Sequence, residues 1–289
     1  MAIEWIQART ALTRTEQQQC YFGYGALAAT AWLLGVTDLH AENIVVAGVP
    51  HVVDAEFVLD PLPVDSALSL TGLTHPLESD RPVHSPIDGP ACIRRRGDLT
   101  VEATGHDTRA PGRELSSHRP TDYRGRPTAP SDHERDLAAG YVWAWNRLTV
   151  AGPEVFEQLS CRARHLFRPT RLYQAYLDLL DTPSVATRSQ RALGYLTDLS
   201  QRAAEDGWDS DPVATMEAQD LSVGDVPWFG WHKDLGLTRA RCYTTTPLQT
   251  PVCFDDRVGL LKARFASGAR DRLVTELRTA VRHRTRGNL

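Results

Sequence analysis

Apolar residues between positions 15 and 34 fall on one broad face. Tyr21, Leu27, Ala28 and Leu34 share it, the middle is alanine-rich, and the spacing predicts a helix over Thr15–Leu34. Gly35 is placed to stop it. A polar turn, Thr37–Glu42, comes next. Two short apolar runs follow, Ile44–Ala47 and Val52–Val53, on either side of Gly48-Val49-Pro50, which predicts a β-hairpin. From about Pro61 to Pro130 the periodicity is lost. Pro, Ser, Asp, Arg and Gly dominate, and the expectation is long loops with short strands such as Leu99–Ala103. Arg94-Arg95-Arg96 reads as part of a solvated loop rather than a phosphate site.

Beyond Pro130 the pattern becomes helical. Ser131 with Glu134 three residues on predicts a capping box opening a helix to Leu148. Further helices are expected over Pro153–Leu159, Thr170–Leu180 and Thr187–Ala204. A last one is expected over about Asp255–Arg284, with Val258, Leu261, Phe265, Leu273 and Leu277 as its packing stripe. No internal repeat appears. The fold class expected is α+β, mainly helical. One domain over residues 1–289 is expected, with a front part (15–130) holding the turn, hairpin and long loops, and a helical part (131–289).

Composition narrows the function classes. A chain of 289 residues that is 42% hydrophobic and 24% charged is ordinary globular material. Its net charge of −4 gives no general electrostatic claim on nucleic acid or anionic membrane. No apolar run reaches membrane-spanning length, and the first residues lack a signal-peptide core, so a cytoplasmic protein is expected. The five cysteines are odd in number, widely spaced and without a CxxC pair. Buried thiols are therefore expected rather than disulfides or a zinc knuckle. Lys233 and Lys262 are the only lysines, so nearly all basic charge is arginine.

Candidate chemistry concentrates in Thr37-Asp38-Leu39-His40-Ala41-Glu42-Asn43 and the later Asp54-Ala55-Glu56. Phosphoryl transfer from ATP needs a carboxylate beside the acceptor hydroxyl, an amide oxygen on a metal and a second carboxylate on that metal. Asp38 and Asn43 have the Asp-x-x-x-x-Asn spacing that supplies the first two. The hairpin then brings Asp54 back toward Asn43, and two hard oxygen ligands suit Mg²⁺. Asp-x-x-x-x-Asn alone arises by chance, because both residues favour turns; its conjunction with a preceding helix, a tight hairpin and a second Asp is rarer. His40 taken singly reads as a structural loop histidine. A zinc site through His40, Asp54 and Glu56 lacks a ligand pair at standard spacing.

The segment Gly35–Val45 and its continuation Gly48–Glu56 resemble the dehydratase domain of LanM-type (class II) lanthipeptide synthetases, which carries Thr-Asp-Leu-His-x-Glu-Asn, a Gly/Pro turn and Asp-x-Glu. The likeness continues in order. Ser69-Leu70-Thr71-Gly72-Leu73 resembles its Ser/Thr-Gly-Leu segment. Arg164-His165-Leu166-Phe167-Arg168-Pro169-Thr170 with Tyr173 resembles its Arg-x-x-x-Arg-x-Thr-x-x-Tyr segment. Gly224-Asp225-Val226-Pro227-Trp228-Phe229 resembles its Gly-Asp-Ile-Pro-Tyr-Phe segment.

This resemblance implies a kinase C-lobe-like core, akin to lipid kinases, with a small β-hairpin and C-terminal helices. It implies an enzyme component that phosphorylates Ser and Thr of a ribosomal precursor peptide with MgATP, then eliminates phosphate to leave dehydroalanine or dehydrobutyrine. Asp38 is then the catalytic aspartate, Asn43 and Asp54 the Mg²⁺ ligands, and His40 and Glu56 members of the same cluster. Arg164 and Thr170 match positions tied to elimination; without the resemblance, Arg164 and Arg168 read as salt-bridge residues. ATP or ADP and Mg²⁺ are the implied cofactors, and no zinc is expected because the cyclase segment of a full synthetase is missing. Neither lysine precedes Asp38, so a partner protein supplying the N-lobe is implied; Arg9 or Arg14 could replace only the charge. Two other readings stand beside this one: a non-catalytic module binding a precursor peptide or partner enzyme, and a kinase-like phosphotransferase acting on a small molecule.

Overall fold

Helix α1 runs Arg14–Leu34 and opens on a reciprocal cap. The Thr13 side chain accepts from the Glu16 amide, and the Glu16 carboxylate accepts from the Thr13 N–H and hydroxyl, both at 2.8 Å. Gln17, Cys20, Tyr21, Tyr24, Ala28, Ala31 and Trp32 recur three and four residues apart, and all are buried. Gly35, at φ 61°, closes the helix in the left-handed conformation expected of a C-terminal glycine. In this computed structural model the described residues are 6–53, 58, 63–74, 85–88, 92–96, 99–103, 113–115, 118–152, 164–165, 173, 176–177, 216–217, 220–221, 224, 226–227, 229–232, 236–239 and 254–286.

The chain divides into two units. The first comprises Met1–Ala55, Leu59–Pro153 and Leu260–Leu289; the second comprises Glu56–Val58 and Glu154–Gly259. In the first unit, α1 packs on α2 (Glu134–Ala151), and the two backbones come unusually close. A Cβ built at Gly25 would lie 1.9 Å from the Leu137 carbonyl oxygen, and one at Gly140 would lie 1.9 Å from that of Phe22. Reciprocal glycines let the helices cross there. Around the crossing, Trp145 stacks against Trp32 and Tyr141, at centroid distances of 5.7 and 5.9 Å. Tyr21 stacks on His133 at 4.5 Å.

Strands β1 (Ile44–Val46) and β2 (Pro50–Val52) form the expected hairpin, in the register Ile44↔Val52 and Val46↔Pro50. Pro50 lies on the strand rather than in the turn, and a Cβ on Gly23 of α1 would meet its ring at 2.8 Å. The N-terminal segment joins this sheet: the Arg9 amide donates to the Val46 carbonyl at 2.8 Å. Further along, Leu12 donates to Thr121 and Thr121 to Thr10.

Three expectations change. The triple arginine is not a loop: Arg94-Arg95-Arg96 belongs to β3 (Cys92–Arg96), the central strand between β4 (Leu99–Ala103) and β5 (Arg113–Leu115). Pairing on both sides overrides the loop-like composition. Ser131 does not cap α2, because Pro130 starts a 3₁₀ turn, Pro130–His133, that carries Ser131 inside it. His133 stands at the N-cap instead. The expected C-terminal helix is two, α3 (Phe254–Ala266) and α4 (Arg270–Arg286), broken at Gly268, whose φ of 63° an ordinary helix does not accept.

Helix α4 lies against α2, where Arg282 forks onto Glu134 through two 2.6 Å hydrogen bonds. Arg264, fully buried, donates to the Trp32 carbonyl at 3.2 Å and sits 5.9 Å over the Trp32 ring. In the second unit, β6 (Arg164–His165), β7 (Phe229–His232) and β8 (Gly236–Arg239) make an antiparallel sheet in that order. The helices expected over 153–159 and 187–204 lie outside the described residues; of 170–180, Tyr173, Tyr176 and Leu177 are described and helical. The described residues thus form an α+β, mainly helical chain. None of their helices is long and apolar enough to cross a membrane.

Candidate functional site

The Asp38 loop joins α1 to the hairpin. Asp38 is exposed and has φ 62°, the only non-glycine residue with positive φ among the described residues. Asp tolerates that region better than most residues, yet left-handed backbone still costs an L-residue roughly 1–2 kcal/mol. Three contacts hold it. Asn43 Nδ2 donates to the Asp38 carbonyl at 2.9 Å and clips the two ends of Asp-x-x-x-x-Asn together. The Leu39 amide donates to the Thr71 carbonyl at 2.9 Å. Leu39 itself is fully buried, anchoring the loop in the core beside an exposed aspartate. A backbone outlier held by such over-determination is a mark of functional sites.

Asn43 ends a 3₁₀ turn, Ala41–Asn43, with His40 at its N-cap. His40 Nδ1 accepts from the Glu42 amide at 3.2 Å. With its nitrogen committed to Asp38, Asn43 has its amide oxygen left as a ligand. Val53 donates to the Asn43 carbonyl at 2.9 Å, so the hairpin returns the chain to Asn43 immediately before Asp54. Asp54 and Glu56 lie outside the described residues.

The Ser69–Leu73 segment, for which the sequence suggests no role, is the support of this loop. Leu68–Thr71 is a 3₁₀ turn closed by Gly72 at φ 85°. A Cβ on Gly72 would lie 2.8 Å from the Leu39 nitrogen and 3.3 Å from the Asp38 carbonyl carbon. Glycine serves here twice: it takes the positive φ, and it lets the turn touch the loop backbone. Thr71 is fully buried, and its hydroxyl donates to the Leu68 carbonyl at 2.7 Å.

The second unit contains the remaining sequence motifs. Strand β6 places Arg164 opposite Gly230 and His165 opposite Phe229, so the Arg-His segment and the end of Gly224–Phe229 run side by side. Phe229 is fully buried. Tyr173 is buried and donates to Glu217 Oε1 at 2.5 Å, which gives it a structural partner. Thr170 lies outside the described residues. The structure therefore assembles Asp38, His40 and Asn43 in one loop of the first unit, while Arg164 belongs to the second.

A cleft of about 940 Å³ lies elsewhere in the first unit, lined among others by Arg9, Arg14, Glu16, Tyr123, Asp132 and His133. None of Asp38, His40 or Asn43 lines it, and its charges are mixed: Arg9 pairs with Glu16 at 2.7 Å. The buried Cys20 thiol is pushed up to about 12 by desolvation, so it is not a nucleophile.

No curated protein matches the chain. A family model described as a domain of unknown function, DUF4135, matches residues 3–86 and 96–232, a span that takes in the Asp38 loop, the Thr71-Gly72 support and the β6–β7 pair. By that match, which covers more than half of its length, the chain belongs to the DUF4135 family.

Proposed function

We propose that this chain is a component of a lanthipeptide-type dehydratase. It phosphorylates Ser and Thr of a ribosomal precursor peptide with MgATP and then eliminates the phosphate, working with a partner protein that supplies the N-lobe over a kinase C-lobe-like core. The observation that carries the reading is the Asp38 loop: an exposed carboxylate on a left-handed backbone, clipped by Asn43 and followed by a hairpin whose exit, Val53, bonds back to Asn43. Membership in DUF4135 is compatible with it.

The donor set fits Mg²⁺. Asn43 offers an amide oxygen and Asp54 a carboxylate, both hard ligands. When bound, the ion supplies charge neutralisation at the nucleotide phosphates. Asp38 orients the peptide hydroxyl and receives its proton as the oxygen attacks the γ-phosphorus; the bond from that phosphorus to the ADP oxygen breaks. In the second step a base removes the α-proton. Its electron pair forms the Cα–Cβ double bond as the Cβ–O bond breaks, and phosphate departs with the bonding pair. His40 and Glu56 are the titratable groups assigned to this cluster. Arg164, as a guanidinium fork, and Thr170, as a hydroxyl donor, are assigned to the departing phosphate.

Nucleotide binding separates this reading from a non-catalytic peptide-binding module. The full chain, alone and with the adjacent gene product able to supply an N-lobe, is titrated with ATP in the presence of Mn²⁺ as the probe metal. Binding that weakens roughly tenfold or more in Asn43→Ala supports the proposal. An absence of binding in every mixture, with peptide binding retained, assigns the chain to the non-catalytic module.

A further inference from the structure

Helix α4 sends one acidic side chain toward the support of the Asp38 loop. Glu276 Oε1 accepts from the Leu68 amide at 2.8 Å, across 208 positions of sequence. Leu68 opens the 3₁₀ turn Leu68–Thr71, and its N–H is one of the leading amides that have no acceptor within the turn. The residue at the turn's N-cap is Ala67, which makes no side-chain cap hydrogen bond. Ala67 is exposed and has the extended backbone of an N-cap, φ −71° and ψ 153°.

The other end of the same turn holds the loop. Thr71 offers its carbonyl to the Leu39 amide, and Gly72 lies against the Asp38 and Leu39 backbone. A continuous chain of hydrogen bonds and close contacts therefore runs from Glu276 through Leu68–Thr71 to Leu39 and Asp38. The Glu276 side chain is 17% exposed, with Arg272 Nη1 3.7 Å from its second oxygen. Burial raises its carboxyl, while the Leu68 amide and Arg272 act to lower it.

We infer that Glu276 is a positioning residue for the Asp38 loop, serving as a long-range N-cap whose carboxylate fixes the Leu68–Thr71 turn and, through it, the loop backbone. The functional meaning rests on the proposed reading of that loop. The structural coupling does not, and it can be read without any activity.

The test is amide hydrogen exchange on the full chain, resolved at Leu39, Leu68 and Ser69, in Glu276→Ala, Glu276→Gln and the double variant Glu276→Ala with Ala67→Asp. Glu276→Ala is expected to speed exchange at Leu39 by roughly tenfold or more, as loss of one charge-assisted hydrogen-bond set allows, with α1 and α2 amides unchanged. Glu276→Gln keeps one acceptor oxygen and is expected to fall between. Ala67→Asp places a carboxylate at the N-cap, where it accepts from the Ser69 amide and fixes the same turn locally, and it is expected to restore Leu39 protection, an outcome that a mere packing role for Glu276 would not give. Faster exchange at Leu68 and Ser69 with Leu39 unaffected would overturn the inference, as would failure of Ala67→Asp to restore it. Should ATP binding be absent while Leu39 responds as described, the functional reading falls and the positioning role stands.

Discussion

The Asn43 side-chain amide donates to the Asp38 backbone carbonyl at 2.9 Å and so ties together the two residues that define the candidate site. One consequence is that Asn43 has two jobs with different atoms: its nitrogen fixes the loop, and its oxygen is the proposed metal ligand. The other is that Asp38 is held at φ 62°, where only glycine is free of penalty.

Substitution at Asp38 should therefore separate stability from function. Asp38→Gly is expected to leave stability unchanged or slightly raised while abolishing nucleotide-dependent chemistry. Asp38→Val, β-branched and ill-suited to positive φ, is expected to cost about 1–2 kcal/mol. Denaturant unfolding of the two variants reads this; equal stabilities would show that the loop backbone relaxes freely.

Gly72→Ala places a methyl 2.8 Å from the Leu39 nitrogen, at a φ of 85°. The turn and the loop cannot both keep their places. A loss of about 1–3 kcal/mol is expected, together with faster exchange at the Leu39 amide. Unchanged Leu39 protection would mean that the turn is not what holds the loop.

The helix crossing is more severe. At Gly25 and Gly140 an added Cβ would sit 1.9 Å from a backbone carbonyl oxygen, which no side-chain rotation relieves. Alanine at either is expected to destabilise by about 3 kcal/mol or more, beyond the small gain in helix propensity. Alanine at Gly259, whose Cβ would meet nothing within 4 Å, is the control and should be neutral or mildly stabilising. Thermal unfolding of the three distinguishes them.

The Glu16 carboxyl lies well below its ordinary 4.5, at about 2, held down first by the Thr13 amide and then by Arg9 and the Thr13 hydroxyl. Its folded value is depressed, so its contribution is present above about 4.5 and disappears as pH falls from 4.5 through 2. NMR titration of the Glu16 side chain should give a midpoint near 2, and Thr13→Ala, which removes the hydroxyl but keeps the amide, should move it only part of the way back toward 4.5. A midpoint near 4.5 in the native protein would contradict the reciprocal cap.

Local chemistry was readable from the sequence where its parts lie close along the chain. The Asp38–Asn43 spacing, the stop at Gly35 and the hairpin all depend on residues within a few positions of one another. What could not be read depends on distance. Glu276 and Leu68 meet across 208 positions, and nothing in either neighbourhood announces it. Gly25 and Gly140 were visible as glycines inside helices, but not as partners. Gly72 was visible within a motif without a role, because its role is a contact with Leu39. Strand β3 runs through an arginine-rich stretch because β4 and β5 flank it, a tertiary cause. Pro130 and Gly268 are different: both signals were present, and each was outweighed by a longer periodic pattern beside it.

The most direct test of the proposed chemistry is the intact mass of a neighbouring precursor peptide. The peptide is incubated with MgATP, ADP, this protein and the adjacent gene product that could supply an N-lobe. The wild-type mixture is expected to remove one water per modified Ser or Thr, the Asp38→Asn variant to leave the mass unchanged, and Arg164→Ala to accumulate phosphate on the peptide. An unchanged peptide mass in the wild-type mixture, with peptide binding intact, would contradict the dehydratase reading and leave a binding module.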